Sequence, residues 1–454
     1  MSPITEITSR SDREHKKTFT QSKGTYDLKQ RKNTIVIIAM LALAFLCACE
    51  NDAGIPEQVE QAAMLAHTQP AHLPEVPAIV IGLDEDMRND EEQDETTEHE
   101  DEPDDPVAER VAAIVASMTL HEKICQLLIV TLDSITGVSG PTTAGEAARA
   151  ALELYPVGGL IHFSPNITST EQISSLNSAL QGYSRVPLFL AVDEEGGSVA
   201  RLGNKLGAHS VRAMLTYEGG GEEAAFENAA TISNALISHG FNTNFAPVAD
   251  VWSNPANSVI GNRAFSRDFD AAAELVAAAV RSFREHSIAC SLKHFPGHGS
   301  TREDSHHRAA FVNKTLDELR DNEFKPFSAG IAAGADMVML GHLIVPDIDE
   351  LPATLSRKLI TDVLRGELGF DGVVITDSLV MDAISRQFSA EFVAITAINA
   401  GVDILLMPAN VSETVTALVA AVESGDIPEC RIDESVSRII RLKIAMGIYA
   451  ENLQ

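Results

Sequence analysis

From residue 107 onward, short apolar runs rich in β-branched residues alternate with longer amphipathic stretches. Bounded apolar runs of four to eight residues predict buried strands, whereas longer stretches with a helical repeat predict helices. The apolar runs predict eight strands, at 126–131, 158–163, 187–192, 243–248, 288–293, 337–341, 372–376 and 403–407. The amphipathic stretches predict helices at 145–155, 222–238, 271–286, 316–333, 357–368, 391–400 and 412–424, and a last helix at 433–446.

This alternation predicts an α/β fold of the (β/α)₈ TIM-barrel type. Eight strand–helix units in tandem are what such a barrel requires. A doubly wound open sheet is the alternative, but no glycine-rich phosphate fingerprint follows the first strand. We therefore expect one folded domain at residues 106–454, without room for a second.

The amino-terminal residues have a different pattern. Residues 35–48 are uncharged and follow the basic segment that ends at Lys32. They are too few for a membrane span, which needs about 20 residues, and suit the apolar core of a secretory signal. The segment Leu46-Cys-Ala-Cys49 resembles the bacterial lipobox, which implies cleavage before Cys49 and a lipid on its thiol. An uncleaved anchor helix is the alternative, and both place the domain outside the cytoplasm on a membrane.

An acidic segment lies between the predicted signal and the predicted folded domain. The formal net charge is −31, which argues against nucleic-acid binding, because phosphates are bound through clustered Lys and Arg. Residues 84–105 contain fourteen acidic residues and one arginine. Such like charges repel one another, so residues 49–105 are predicted to be a disordered acidic tether, with calcium binding as the alternative.

Polar residues stand at the carboxyl end of most predicted strands. They are His162, Asp193, Glu194, Glu195, Asp250, Lys293, His294, His342 and Asp377. Barrel enzymes build their active sites from the ends of several strands at this face. The pattern therefore predicts an active site there.

The densest group of ionisable residues is the segment Lys293–His306, which reads Lys-His-Phe-Pro-Gly-His-Gly-Ser-Thr-Arg-Glu-Asp-Ser-His. Burying unpaired charge is expensive, so this segment is interpreted as a functional loop. A catalytic metal would need about three converging ligands, and the candidates are His294, His298, His306, His307 and His342. The positive charge of Lys293 beside His294 argues against a metal. The absence of a Gly-x-Ser-x-Gly motif argues against acyl transfer.

Carboxylate chemistry fits the pattern better. Asp377 ends a predicted strand, where its carboxylate could attack the anomeric carbon of a sugar. Asp304 precedes His306 by two residues and could orient its imidazole and raise its pKa, which suits an acid/base pair. Gly297 and Gly299 are predicted hinges that let this loop move over a substrate.

Five segments together resemble the N-acetyl-β-glucosaminidase branch of glycoside hydrolase family 3. They are Lys293–His306, Met118–Leu127, Asp193–Leu202, Asn244–Val251 and Gly261–Phe265, and the resemblance covers about residues 107–447. It implies a retaining double displacement with Asp377 as nucleophile and the His306–Asp304 dyad as acid/base. It implies sugar binding by residues Asp193, Arg201, Arg263, Lys293 and His294, with no metal or cofactor.

The sequence departs from the family at two positions near Asp193. Glu194 stands where the family often has Gln, and Ser198 stands where it often has Arg. Both changes predict a more acidic rim around the sugar site. Beyond the dyad, the segment Arg308-Ala-Ala-Phe311 replaces a familiar Leu-Pro.

The resulting hypothesis is a membrane-anchored lipoprotein that acts as an exo-β-N-acetylglucosaminidase on peptidoglycan fragments or chito-oligosaccharides. A phosphorylase or a β-glucosidase of the same family is an alternative. A sugar-binding lipoprotein without catalysis is the alternative from another class.

Overall fold

A computed structural model of the protein describes residues 105–302 and 309–449. The predicted signal peptide, the lipidation site Cys49 and the acidic tether up to residue 104 lie outside the described residues. So do Asp304, His306 and His307.

The chain forms thirteen strands within these ranges. They are β1 (Leu128–Val130), β2 (Gly159–Ile161), β3 (Phe189–Val192), β4 (Glu194–Gly196), β5 (Val199–Ala200), β6 (Thr243–Asn244), β7 (Ala289–Phe295), β8 (Ala310–Phe311), β9 (Met337–Leu340), β10 (Leu343–Val345), β11 (Asp349–Pro352), β12 (Val373–Thr376) and β13 (Leu405–Leu406).

Fourteen α-helices lie between and around the strands of the described part. They are α1 (Pro106–Ala116), α2 (Leu120–Gln126), α3 (Leu132–Thr136), α4 (Glu146–Leu154), α5 (Thr170–Tyr183), α6 (Arg201–Leu206), α7 (Gly221–Ser238), α8 (Phe269–Glu285), α9 (Leu316–Asp321), α10 (Phe324–Ala332), α11 (Asp382–Ser385), α12 (Ala390–Ala400), α13 (Val411–Ser424) and α14 (Glu429–Ala445). A π-helix spans Lys358–Glu367.

Eight of the strands form a parallel barrel. Their order is β12-β9-β7-β6-β3-β2-β1-β13, and a parallel bridge between Ile375 and Ile404 joins the two outer strands. All eight predicted strands are present, and the predicted (β/α)₈ barrel is confirmed. Strands β1, β3, β7, β9 and β12 are buried along their whole length, which explains their nearly continuous apolar sequences.

Helices lie at the predicted positions, but not every predicted helix is a single α-helix. The predicted helix at 316–333 is wrong as a single element, because the chain leaves helical geometry at Asn322 (φ −132°, ψ −87°) and begins α10 two residues later. Helix α5 was not predicted. Its signals were present, with Ser169 as N-cap and the spaced apolar residues Ile173, Leu176 and Leu180.

Two small sheets lie outside the barrel. The hairpin β4–β5 follows β3, and the sheet β11-β10-β8 follows the carboxyl ends of β7 and β9. Both continue from strand ends at the face where the polar residues are concentrated. Between residues 105 and 449, leaving aside 303–308, no helix is long and apolar enough to cross a membrane.

Candidate active site

A cavity of about 620 Å³ opens at the carboxyl ends of the barrel strands. All six described residues that were predicted to bind or attack the sugar line it: Asp193, Arg201, Arg263, Lys293, His294 and Asp377. They come from the ends of β3, β7 and β12, from the start of α6 and from the loop before α8. The barrel therefore brings together residues that are up to 184 positions apart in the sequence.

Lys293 lies between two carboxylates in one wall of the cavity, which we call the charged wall. Its side chain is 3% exposed, and its Nζ lies 3.0 Å from Asp193 Oδ1 and 2.6 Å from Glu195 Oε1. Burial would lower the pKa of Lys293, but the two carboxylates outweigh it and hold the pKa above its ordinary value. Lys293 is therefore a fixed cation with its donors directed by two acids.

Arg263 makes a bidentate ion pair with Glu195. Its Nε donates to Oε2 at 2.8 Å and its second terminal nitrogen to Oε1 at 2.8 Å. Burial would raise the pKa of Glu195, but Arg263 and Lys293 hold it well below its ordinary value. Glu195 thus fixes two cations at once, and Arg263 also donates to the Val259 carbonyl at 3.1 Å.

Arg201 lies on the opposite side of Asp193. Its guanidinium is 3.5 Å from Asp193 Oδ2, a long contact, and it stacks over the Phe163 ring at 5.6 Å from the centroid. Asp193 is therefore flanked by Lys293 and Arg201. The oxygens of such a carboxylate can accept hydrogen bonds from sugar hydroxyls.

His294 is oriented from behind by Asp250. Asp250 Oδ2 lies 2.7 Å from His294 Nδ1 and also accepts the His294 backbone N–H at 3.1 Å, while Oδ1 accepts the His298 N–H at 2.6 Å. Burial opposes ionisation of Asp250, but His294, the adjoining His298 and its N–H lower the pKa. Since Asp250 holds Nδ1, Nε2 is the ring nitrogen of His294 left for a ligand in the cavity.

Asp377 follows β12 directly. Its Oδ1 accepts the Ser378 backbone N–H at 2.7 Å. Burial would raise its pKa, but His294, His342, the Ser378 N–H and Lys293 together lower it. An ionised carboxylate on a rigid strand end is the form that a nucleophile at a sugar carbon requires.

His342 supports the chain beneath Asp377 and does not line the cavity. Its Nε2 lies 3.0 Å from the Ser378 carbonyl, and its Nδ1 lies 2.8 Å from Thr354 Oγ1. His162 also lies at a strand end without lining the cavity; it is fully buried, and burial lowers its pKa to about 4. These two strand-end residues belong to the interior, a distinction that the sequence pattern did not make.

The expectation that Glu194 belongs to an acidic rim was wrong. Its side chain is completely buried and contacts His209 at 2.6 Å instead of facing the cavity. Ser198 is exposed and does line the cavity, so only this departure alters the rim.

The two predicted hinge glycines are tightly packed. A Cβ on Gly299 would lie 1.7 Å from the Val251 carbonyl oxygen, and one on Gly297 would lie 2.7 Å from Glu323 Cγ. Residues 291–299 are all buried. The structure thus gives these glycines a packing role in a buried segment, which argues against the predicted hinge at either position.

Apolar cavity residues were missed in the sequence. They are Ile161, Phe163, Val199, Phe245, Val259, Met339, Met381, Leu406 and Met407. Phe163 and Met407 end predicted strands, and for these two that position was the available signal. Among residues 105–302 and 309–449, no group of three or more His, Cys, Asp or Glu could hold a metal ion.

The part of the chain that forms the barrel is similar to known proteins. The profile described as "Glycosyl hydrolase family 3 N terminal domain" matches residues 119–442. Beta-hexosaminidase A of Pseudoalteromonas piscicida is 36% identical over 332 residues, which are 66% of this chain and 56% of that protein. A beta-hexosaminidase of Stenotrophomonas maltophilia is 36% identical over 291 residues, which are 63% of this chain and 86% of that protein.

Among solved structures, a glycoside hydrolase family 3 beta-N-acetylglucosaminidase from a Paenibacillus species superposes with a TM-score of 0.69 at 39% identity. The match covers 74% of this chain and 64% of that one. A Beta-N-acetylhexosaminidase from Beutenbergia cavernae superposes with a TM-score of 0.65 at 29% identity and covers 73% of this chain and 99% of that one. The chain thus spans slightly more than half of the Pseudoalteromonas protein and nearly all of the Beutenbergia protein.

Proposed function

Since this chain belongs to glycosyl hydrolase family 3, we propose that it is a retaining exo-β-N-acetylglucosaminidase. The observation that carries the proposal is the shared cavity, which is lined by Asp377 and by all five predicted sugar ligands. Two similar proteins are named beta-hexosaminidases, and one similar structure is named a beta-N-acetylglucosaminidase. The proposed substrates are peptidoglycan fragments or chito-oligosaccharides with a terminal β-linked N-acetylglucosamine.

In the proposed mechanism, the sugar ring is held between the charged wall and the apolar side chains of the cavity. Asp193 accepts hydrogen bonds from ring hydroxyls, while Lys293 and Arg201 donate to hydroxyl oxygens. The Nε2 atom of His294 is available to the same ring. These contacts orient the anomeric carbon toward Asp377 and lower the entropic part of the barrier.

Asp377 then attacks the anomeric carbon to give a covalent glycosyl–enzyme intermediate, with retention after a second displacement by water. The His306–Asp304 dyad protonates the leaving oxygen in the first step and takes a proton from water in the second. Both dyad residues lie outside the described residues, so their part rests on the sequence resemblance. The low pKa of Asp377 supports its half of the mechanism.

The test uses the full chain with an aryl N-acetyl-β-glucosaminide and the matching aryl β-glucoside. We expect turnover of the first, little of the second, and loss of activity to background in Asp377→Asn. An unchanged rate in that variant would refute the mechanism. Product analysis with and without phosphate separates hydrolysis from phosphorolysis, since only the latter gives a sugar phosphate.

We also propose that the protein is anchored to the cell envelope by a lipid on Cys49. The support is the uncharged segment 35–48 and its lipobox-like end. Labelling with a radioactive fatty acid in a bacterial host should mark the wild type and not Cys49→Ala. Equal labelling of both proteins would contradict lipidation at Cys49.

A further inference from the structure

Glu194 lies between two residues of the charged wall but points the other way. Asp193 and Glu195 both contact Lys293, and side chains alternate between faces along an extended segment. The Glu194 side chain is 0% exposed and lies behind the wall. Its backbone is held as well, since its N–H donates to Asn244 Oδ1 at 3.0 Å and its carbonyl accepts from Asn244 Nδ2 at 2.9 Å.

The Glu194 carboxylate caps helix α6 from outside the helix. It accepts the backbone N–H of Leu202 at 2.8 Å and of Gly203 at 2.9 Å, in the first turn. The residue in the N-cap position, Ala200, has no side-chain cap, and a six-residue helix is not stable on its own. A carboxylate at this end satisfies two free donors and complements the helix dipole.

His209 completes the arrangement from the far side. Its Nδ1 accepts the Val211 backbone N–H at 3.2 Å, so its Nε2–H donates to Glu194 Oε1 at 2.6 Å. Gly203 allows this approach, because a Cβ there would lie 2.7 Å from His209 Cε1. The pair therefore joins the hairpin β4–β5, the start of α6 and the segment after it.

Arg201 is the first residue of α6, and its own contacts hold it loosely. Among residues 105–302 and 309–449, its one ion pair is the 3.5 Å contact with Asp193. Within the part of the chain that the structure describes, its buried Nε has no hydrogen-bond partner. Apart from that contact and the Phe163 ring beneath it, the place of this guanidinium in the cavity depends on where α6 begins.

We propose that the Glu194–His209 pair is a positioning element for Arg201, fixing the start of α6 so that the guanidinium lies at the sugar site. Neither residue touches the cavity space, so the pair acts through Arg201 and not on the reacting atoms. This inference deepens the proposed function and rests on it, because sugar binding is the property that the pair controls.

The test is a double-mutant cycle on the full chain, with KM and kcat measured for the aryl N-acetyl-β-glucosaminide. Glu194→Ala and Arg201→Ala should each raise KM by about tenfold, with kcat changed less than about threefold. The double variant should be no worse than Arg201→Ala alone, because the first change acts through the second side chain. Multiplied effects, or an unchanged KM in Glu194→Ala, would overturn the proposal.

Conservative and control variants separate positioning from general instability. Glu194→Gln keeps an acceptor for the helix N–H groups and should recover most of the KM. His209→Ala should shift KM in the same direction by a smaller factor, and it decides the matter if Glu194→Ala does not fold. Asp336→Ala removes a carboxylate that accepts the Cys290 N–H at the other end of the barrel, so it should lower thermal stability without raising KM.

Failure of the proposed function has a different signature. A folded wild type without turnover would refute the proposed glycosidase activity. KM and kcat could then not be measured for the double-mutant cycle. The same four proteins of the cycle can then be compared by the stabilisation that N-acetylglucosamine gives to thermal unfolding. Non-additive loss of that stabilisation would support the positioning role, and additive loss would overturn it.

Discussion

The two ends of the barrel each bury a lysine, and the two lysines have opposite surroundings. Lys293 lies at the carboxyl end between two carboxylates, which raise its pKa. Lys443 lies at the amino end, fully buried, where its Nζ donates to Gln126 Oε1 at 2.8 Å and lies 4.9 Å from the centre of the Phe189 ring. No carboxylate of the described part of the chain pairs with it, and burial lowers its pKa to about 7.

This difference shows that buried charge alone does not identify an active site. At the carboxyl end the charges border an open cavity with a carboxylate nucleophile candidate. At the amino end Asp403 is buried against Arg365, Arg431 and Arg438, and these contacts join helix α14 to the barrel. The first arrangement leaves donors and acceptors for a ligand, whereas the second uses them within the fold.

Cavity size alone would point to the opposite end of the barrel from the candidate active site. A larger cavity of about 770 Å³ lies at the amino end, lined by residues of α14 and the loops before β9 and β12. Its acids include Asp336 and Asp433, and its cations Arg438 and Arg441. Barrel enzymes place their chemistry at the opposite face, where strand ends aim side chains into one space.

The largest expected difference between the two ends is in catalysis. Lys293→Met removes the cation between Asp193 and Glu195, so the activity should fall by about 100-fold or more because the proposed sugar ligands are misplaced. Leaving two acids with one cation fewer should also lower the free energy of unfolding by about 3 kcal/mol. Steady-state kinetics and chemical denaturation measure the two effects.

Lys443→Met is the matched control at the other end. It should keep kcat/KM within about twofold of the wild type. The Lys443 ammonium contacts Gln126 and Phe189, and neither of these residues lines the cavity. If both variants lost activity equally, the contrast between the two ends would not hold.

A second, smaller effect is expected from changing Asp250, which contacts His294 Nδ1. Asp250→Asn retains one acceptor oxygen for three N–H groups and turns an amide N–H toward another donor. We expect kcat/KM to fall by roughly tenfold to 100-fold and the free energy of unfolding to fall by about 2 kcal/mol. A variant with normal kinetics would show that His294 needs no orientation from Asp250.

The packing of the loop after β7 is tested by glycine substitutions. Gly299→Ala places a Cβ against the Val251 carbonyl, so it should lower the free energy of unfolding by about 2 kcal/mol. Gly182→Ala, in helix α5 with nothing within 4 Å, should raise it by about 0.5–1 kcal/mol. If Gly299→Ala changed only turnover and not stability, the hinge interpretation would regain support.

The last prediction concerns stability alone and not catalysis, and it is the pH dependence from Lys443. Its pKa is about 7 when folded and 10.5 ordinarily, so between these values the unfolded chain binds the extra proton. The stability cost is complete below pH 7 and disappears as the pH rises toward 10.5. The free energy of unfolding of the wild type relative to Lys443→Met should therefore rise by about 1.4 kcal/mol per pH unit within this window. Parallel pH profiles would contradict it.

The sequence by itself determined the barrel and the six predicted charged residues of the cavity. Parallel strands buried on both faces must be continuously apolar, so their number and places could be read directly, and their polar ends pointed to one face. The motifs containing Asp193, Lys293 and Asp377 then indicated the chemistry. Local patterns sufficed because each of these features is set within a few residues.

Only the tertiary structure decided which way each polar residue faces and what it contacts. Glu194 and His162 follow the same strand-end pattern as Asp193, yet both are buried away from the cavity. Gly299 was predicted to be a hinge from its type, but Val251, from another strand end, makes it a packing position. Such contacts join residues distant in the chain, and their distances arise only when the barrel closes.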